Sequence, residues 1–216
     1  PLKKGDLLQH LKVLDLSNIV AGPTSSYTLA QYGAQVIKLD SQNMTLGTSA
    51  PIMTLEIGQG KRSILVDIKT APGREIFQRL VSWADVVLHN SLDDVAERLG
   101  VTLQQLQSIN PNVVCCQISC FGGACRGGWE RHPGYDPIPQ AATGLMAQFG
   151  SLEAPQMHGR TACGDNMGAI GLAFTALLTA WQQRRTGYAG EGRTSMAQSN
   201  NFVQLPYMIA EHGKSD

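Results

Sequence analysis

A chain of 216 residues, 43% hydrophobic and 16% charged, is globular and long enough for one sizeable core, so one main domain is expected. Seventeen basic residues balance seventeen acidic ones, which removes any bulk-charge argument for a nucleic-acid or membrane partner and leaves only a local basic pocket open. The cysteines Cys115, Cys116, Cys120, Cys125 and Cys163 are odd in number and lack the spacing of a disulfide framework, so a reducing, cytoplasmic setting is expected. No apolar signal segment follows Pro1, and the uncharged run from Asn166 to Gln183 is interrupted by Gly, Thr and Gln, which reads as a buried helix rather than a membrane span.

In chain order, LKVLDLS (11–17) reads as a buried strand, and Gly22-Pro23 leads into a helix over 24–32 that ends near Gly33. QVIKLD (35–40) completes a β-α-β unit, which requires a parallel sheet. Residues 41–60 lack periodicity and form a loop excursion closed by Lys61-Arg62. SILVDIK (63–69) is a strand, and Thr70-Ala71-Pro72 opens a helix through Trp83 with Ile76, Phe77, Leu80 and Val81 on one face. DVVLHN (85–90) and NVVCCQIS (112–119) are strands, with short helices over 92–99 and 102–108 between them. A Gly-rich loop spans 121–137, Gln140 to Phe149 is weakly helical, and 150–163 is irregular. A long helix covers 165–185 before Gly187 and Gly190, and GRTSMAQSNNFVQL supplies a short strand and a final helix. This alternation predicts an α/β, doubly wound, mostly parallel sheet with helices on both faces.

The turn NIVAGPTS lacks the G-x-G-x-x-G that brings a backbone against a pyrophosphate, which disfavours a nicotinamide nucleotide. Gly60-Lys61 is followed by Arg62 instead of Ser or Thr, and no G-x-S-x-G elbow occurs, so neither a phosphate loop nor a serine hydrolase is expected. Adjacent Cys115 and Cys116 point to opposite faces of a strand and read as buried structural thiols, not ligands of one metal. His132 and His158 lie in loops, where single histidines are usually surface groups.

Asp165, between Gly164 and Asn166 at the start of the long helix, carries two readings. A carboxylate there caps free N–H groups and meets the positive end of the helix dipole. The same placement could lower its pKa and fix its direction for chemistry, beside glycines, Gly164 and Gly168, that admit a substrate. Residue types alone leave both open.

The series LKVLDLSNIVAGP, GAQVIKLD, GKRSILVDIKTAPGREI, ADVVLHN, AERLGV, INPNVV, GYDPIPQAATGLM, GDNMG and RRTGYAGEGRTSMAQS resembles the family III CoA-transferases, over about Leu11 to Gln198. The resemblance implies the N-terminal part of that family's Rossmann-like fold. It also implies that Asp165 is the nucleophile, passing an acyl group through a mixed anhydride and an aspartyl-CoA thioester. Coenzyme A, as substrate and without a metal, would lie along the carboxyl edge of the sheet against Ile19, Val20, Val66, Lys69, Asn90, Arg98 and Tyr135. Lys69 and Arg98 would face its phosphates. Backbone N–H groups near Gly164 would stabilise tetrahedral oxyanions. Acyl-CoA and carboxylic acid substrates and a homodimer are further expectations of the resemblance.

Ser41 stands where many relatives have an arginine and Ser91 where an aromatic is usual, and the excursion 41–60 is short. That pattern is closer to the second repeat of long tandem members such as the dimethylsulfoniopropionate CoA-transferase/lyases. The resemblance divides the chain into a Rossmann-like CoA-binding domain (1–190) and a terminal strand and helix (191–216) leading toward a small domain that lies beyond it. One alternative is an α-methylacyl-CoA racemase, whose Gly-His-Asp is here Gly134-Tyr135-Asp136; tyrosine is a poor base near neutral pH. The other is a noncatalytic CoA-binding fragment.

Overall fold

The computed structural model describes residues 7–41, 55–122, 127–129, 131–158 and 163–208. Most of the excursion 41–60, part of the Gly-rich loop including Cys125, and residues 209–216 lie outside the described residues. The strands are β1 (Lys12–Asp15), β2 (Gln35–Asp40), β3 (Lys61–Leu65), β4 (Val86–His89), β5 (Val114–Ser119) and β6 (Glu191–Ser195). They form one sheet in the order β3-β2-β1-β4-β5-β6, and every pairing is parallel.

Two apolar layers follow from the two-residue period of the strands. Val13, Val86, Leu88, Cys116 and Ile118 pack against the helices α1 (Ala21–Gln31) and α7 (Cys163–Thr186). Leu14, Val87 and Cys115 face the other way, against α2 (Ala71–Trp83), α3 (Asp93–Leu99) and α4 (Leu103–Gln107). Cys115 and Cys116 thus sit on opposite faces, both buried, with thiol pKa values pushed up by burial, to about 12 for Cys116. Burial on both faces fits the unbroken apolar stretches Val86–Leu88 in β4 and Val113–Cys116 leading into β5.

Several boundaries have local causes. The Thr70 side chain accepts from Gly73 N–H at 3.2 Å and sets the start of α2. Thr102 and Gln105 form a reciprocal capping box on α4. Gly100, at φ 72°, takes the left-handed turn that ends α3. On α2, Phe77 and Val81 are buried, but Ile76, expected on the same face, is 38% exposed because it lies a residue off their four-residue spacing. Strand β3 runs over Lys61–Leu65, not 63–69: its register pairs Lys61 with Val36 and ends at Leu65, and the chain then turns through Asp67 toward the Thr70 cap. Lys61 and Arg62 are therefore part of the sheet.

After β5 come the short helices α5 (Pro137–Ala142) and α6 (Leu145–Phe149). Helix α7 begins at Cys163, two residues before the expected start, and crosses the sheet. Residues 191–195 enter the same sheet beside β5, followed by α8 (Met196–Val203) against α7 and by α9 (Leu205–Met208). Among the described residues no helix is long and apolar enough to cross a membrane.

Candidate active site

In a doubly wound sheet the strands that leave a central pair in opposite directions open a crevice at their carboxyl ends. Here that reversal falls between β1 and β4, and a cleft of about 180 Å³ lies over it. The turn 18–21 forms one wall and Pro133 to Tyr135 the other, with Asn90, Cys120, Met196 and Asp165 between them. That volume suits the reacting end of a ligand and not a whole nucleotide.

Asp165 lies within the first turn of α7, beyond the capping position, and another residue performs the capping. Asp136 Oδ1 accepts the Asp165 backbone N–H at 2.9 Å. Asp136 occupies the N-cap position of α5, with Pro137 next, yet its carboxylate makes no cap bond to that helix. It is buried, accepts from Gln140 Nε2, and Gln140 Oε1 in turn accepts His158 N–H at 2.8 Å. The α7 start, α5 and the segment before residue 159 are thereby tied through one carboxylate. The Asp165 carboxylate makes no hydrogen bond among the described residues and faces the cleft.

The electrostatics of Asp165 run against the expectation of a lowered pKa. Burial, and then the negative charge of Asp136, push it from the ordinary 3.8 up to about 6, outweighing the helix dipole. Two more expectations change. The Asp165 N–H is committed to Asp136 and is not free for an oxyanion. Gly164 and Gly168 serve close packing instead of substrate entry: a Cβ at Gly164 would stand 2.8 Å from Asp136 Oδ1, and one at Gly168 2.8 Å from Ile118 Cδ1. Gly164 lets the Asp136 cap and Asn200 approach α7, and Gly168 lets α7 approach the sheet.

The opposite wall is held under tension. Ile19 has φ 69°, and it is the one non-glycine residue with positive φ among the described residues. For a β-branched side chain that region costs about 1–2 kcal/mol and requires support. Asn90 gives it from β4: Asn18 N–H donates to Asn90 Oδ1 at 2.9 Å, and Asn90 Nδ2 donates to Asn18 O at 2.8 Å. Beneath the turn, buried Asp15 accepts from Ser17 N–H at 2.9 Å and from the Ser17 and Ser26 hydroxyls, and lies 3.3 Å from Lys61 Nζ, which also donates to Pro23 O at 2.6 Å. Burial raises the Asp15 pKa, but the charges of Lys38 and Lys61 and the two serine bonds together hold it below the ordinary value.

Asp165, Ile19, Val20, Asn90 and Tyr135 therefore meet in one cleft. Val66, Lys69 and Arg98 do not line it: Val66 is buried in the α2 layer, Lys69 is exposed beyond β3, and Arg98 pairs with Asp94 at 3.1 Å on the surface of α3. His132 is exposed beside the Trp129 ring, and His158 packs edge-on against Phe149. Among the described residues no group of three or more His, Cys, Asp or Glu could hold a metal. Asp136 as the cap of α7, Gln140 behind it and Cys120 in the cleft were not anticipated as site residues. The one signal was Asp136 before Pro137, which reads as a cap for its own helix.

Sheet order and cleft position define a doubly wound, parallel α/β protein with a half-buried carboxylate, Asp165, in the crevice at the carboxyl ends of its strands. The family model for CoA-transferase family III matches residues 8–216, and the chain belongs to that family. It is similar to the CoA-transferase/lyase DddD of Marinomonas sp. (strain MWYL1), 36% identical over 209 residues that make up 96% of this chain and 25% of that protein. It is 28% identical to the formyl-CoA:oxalate CoA-transferase of Rhodopseudomonas palustris (strain BisA53), covering 92% of this chain and 48% of that protein. Among solved structures, a CAIB/BAIF family protein from Brucella suis superposes with a TM-score of 0.87 at 28% identity, over 98% of this chain and 59% of that one. The chain spans a quarter to a half of the length of these two curated relatives.

Proposed function

We propose that the protein moves CoA from an acyl-CoA thioester to a carboxylic acid, with Asp165 as the covalent relay. The observation that carries this reading is the division of labour at α7: Asp136 accepts the Asp165 N–H, while the Asp165 carboxylate faces the cleft without a hydrogen-bond partner among the described residues. The ionised carboxylate attacks the thioester carbonyl, releasing CoA thiolate and forming a mixed anhydride. The thiolate attacks the aspartyl carbonyl of that anhydride, giving an aspartyl-CoA thioester and releasing the first acid. The acceptor carboxylate then attacks the aspartyl thioester, and the returning thiolate takes the new acyl group and regenerates Asp165. Each step conserves the activated carboxyl and replaces one difficult exchange by easier ones.

The apolar side chains of Ile19, Val20 and Tyr135 suit the thioester end of the substrate. In this reading Lys69 and Arg98, on segments that follow β3 and β4, meet the phosphates outside the cleft, Arg98 exchanging its surface pair with Asp94 for them. A homodimer in the cytoplasm belongs to the same proposal. The proton-abstraction alternative has less support, because the cleft presents Tyr135 and no histidine among the described residues. Exchange of α-deuterium into an acyl-CoA without transfer to an acid would favour it.

The test is trapping. After incubation with acyl-CoA, borohydride or hydroxylamine should modify one peptide, at Asp165, by mass spectrometry. Bound CoA with Asp165 unmodified would overturn the proposal. Because the attacking form is ionised and the pKa stands near 6, initial trapping rates should be flat above pH 7 and fall about tenfold per unit well below pH 6.

A further inference from the structure

We infer that Asn90 is a positioning residue that grips the protein's own backbone, holding Ile19 in its left-handed conformation so that the Ile19 side chain bears on the thioester end of the substrate. The inference rests on the reading that the cleft takes an acyl-CoA. The resemblance alone would place Asn90 against the ligand. Both of its polar atoms are engaged instead with the N–H and C=O of Asn18, fixing the residue immediately before Ile19 on both sides. The far side of the turn is fixed independently, where Asp15 holds Ser17 and Ser26 and Lys61 holds the Pro23 carbonyl. A backbone in this region persists only where its surroundings over-determine it, and here they do so from β4, β1 and β3.

Glycine would adopt φ 69° without resistance, so the turn itself does not call for isoleucine. What the strained backbone holds in place is the side chain. Ile19 is 56% exposed, lines the cleft, and has Tyr135 on the other wall, also exposed. An apolar side chain held out from the wall in one fixed direction is ready to meet a ligand without first being ordered. Asn90 then acts on the substrate only through Ile19.

The experiment uses the full-length protein and the variants Asn90→Ala, Asn90→Asp, Ile19→Gly and the double variant Asn90→Ala/Ile19→Gly. Asn90→Ala should raise KM for acyl-CoA roughly tenfold with kcat changed less than about threefold. Asn90→Asp keeps the acceptor for Asn18 N–H, loses the donor, and should fall between parent and Asn90→Ala. In the Ile19→Gly background the further rise caused by Asn90→Ala should be less than about twofold, because there is no side chain left to position. An equal rise in both backgrounds would mean that Asn90 touches the ligand directly, and a lower kcat at unchanged KM would mean only a smaller folded fraction; either overturns the inference. If the parent shows no transfer, the functional reading has failed, and melting temperatures decide the matter: the loss caused by Asn90→Ala must shrink in the Ile19→Gly background, and equal losses overturn it.

Discussion

Asp165→Asn is expected to lower acyl transfer by at least ~10⁴-fold and at the same time to raise the melting temperature at pH 7.5 by a few degrees. The first effect follows from the proposed role of Asp165 as nucleophile, since an amide nitrogen does not attack a thioester. The second has the opposite sign to what a capping residue would show. With a pKa near 6 in the folded chain and 3.8 as the ordinary value, the folded state binds the Asp165 proton more tightly than the unfolded state. That preference stabilises fully below about pH 4, is lost as pH rises through 6, and leaves the ionised group an unfavourable element above it. Removing the charge at pH 7.5 should therefore return roughly 1–2 kcal/mol, after discounting for partial exposure. Thermal unfolding of parent and variant between pH 4 and 8 checks this, and the difference should vanish toward pH 4. A variant that melts lower at pH 7.5 would give Asp165 back its structural role and remove the main support for the covalent mechanism.

The expectation of lost activity paired with gained stability is not legible from GDNMG alone, for a reason of geometry. A local rule assigns a first-turn carboxylate to its own helix, and the residue that displaces it from that duty, Asp136, is 29 positions away. The same distance problem hid the wall opposite: Asn18 and Asn90 are 72 positions apart, and nothing in NIVAGP announces a left-handed isoleucine. Local signals succeeded where local forces decide. The Thr70 cap with Pro72 placed α2, and the run VIKL within QVIKLD, mostly apolar and completing a β-α-β unit, placed β2 over Gln35–Asp40. They slipped where a neighbouring strand decides, as at β3, whose limits come from its register with β2. Gly168 was read as room for a substrate because a glycine's neighbours across a helix–sheet contact, here Ile118, are set by the fold. Motif order could group Asp165, Ile19, Val20, Asn90 and Tyr135, but only the fold shows that Asn90 holds the backbone of Asn18 while the Asp165 carboxylate has no hydrogen-bond partner among the described residues.

Asp136 should separate into two functions when it is changed in two ways. Asp136→Ala leaves the Asp165 N–H without its acceptor and removes the partner of Gln140, which in turn holds His158 N–H, so a loss of about 2–3 kcal/mol is expected in denaturant unfolding. Asp136→Asn retains an oxygen for the Asp165 N–H but deletes the charge, which is the second cause of the raised Asp165 pKa. Burial, the larger cause, remains, so the pKa should fall below 6 without reaching 3.8. The acid limb of kcat/KM should move to lower pH by the same amount, making Asp136→Asn relatively better than the parent at pH 5 than at pH 8. An acid limb that stays in place would show that Asp136 does not act on Asp165 through its charge. The two variants thus distinguish a carboxylate that only builds the helix start from one that also tunes the proton affinity of its neighbour.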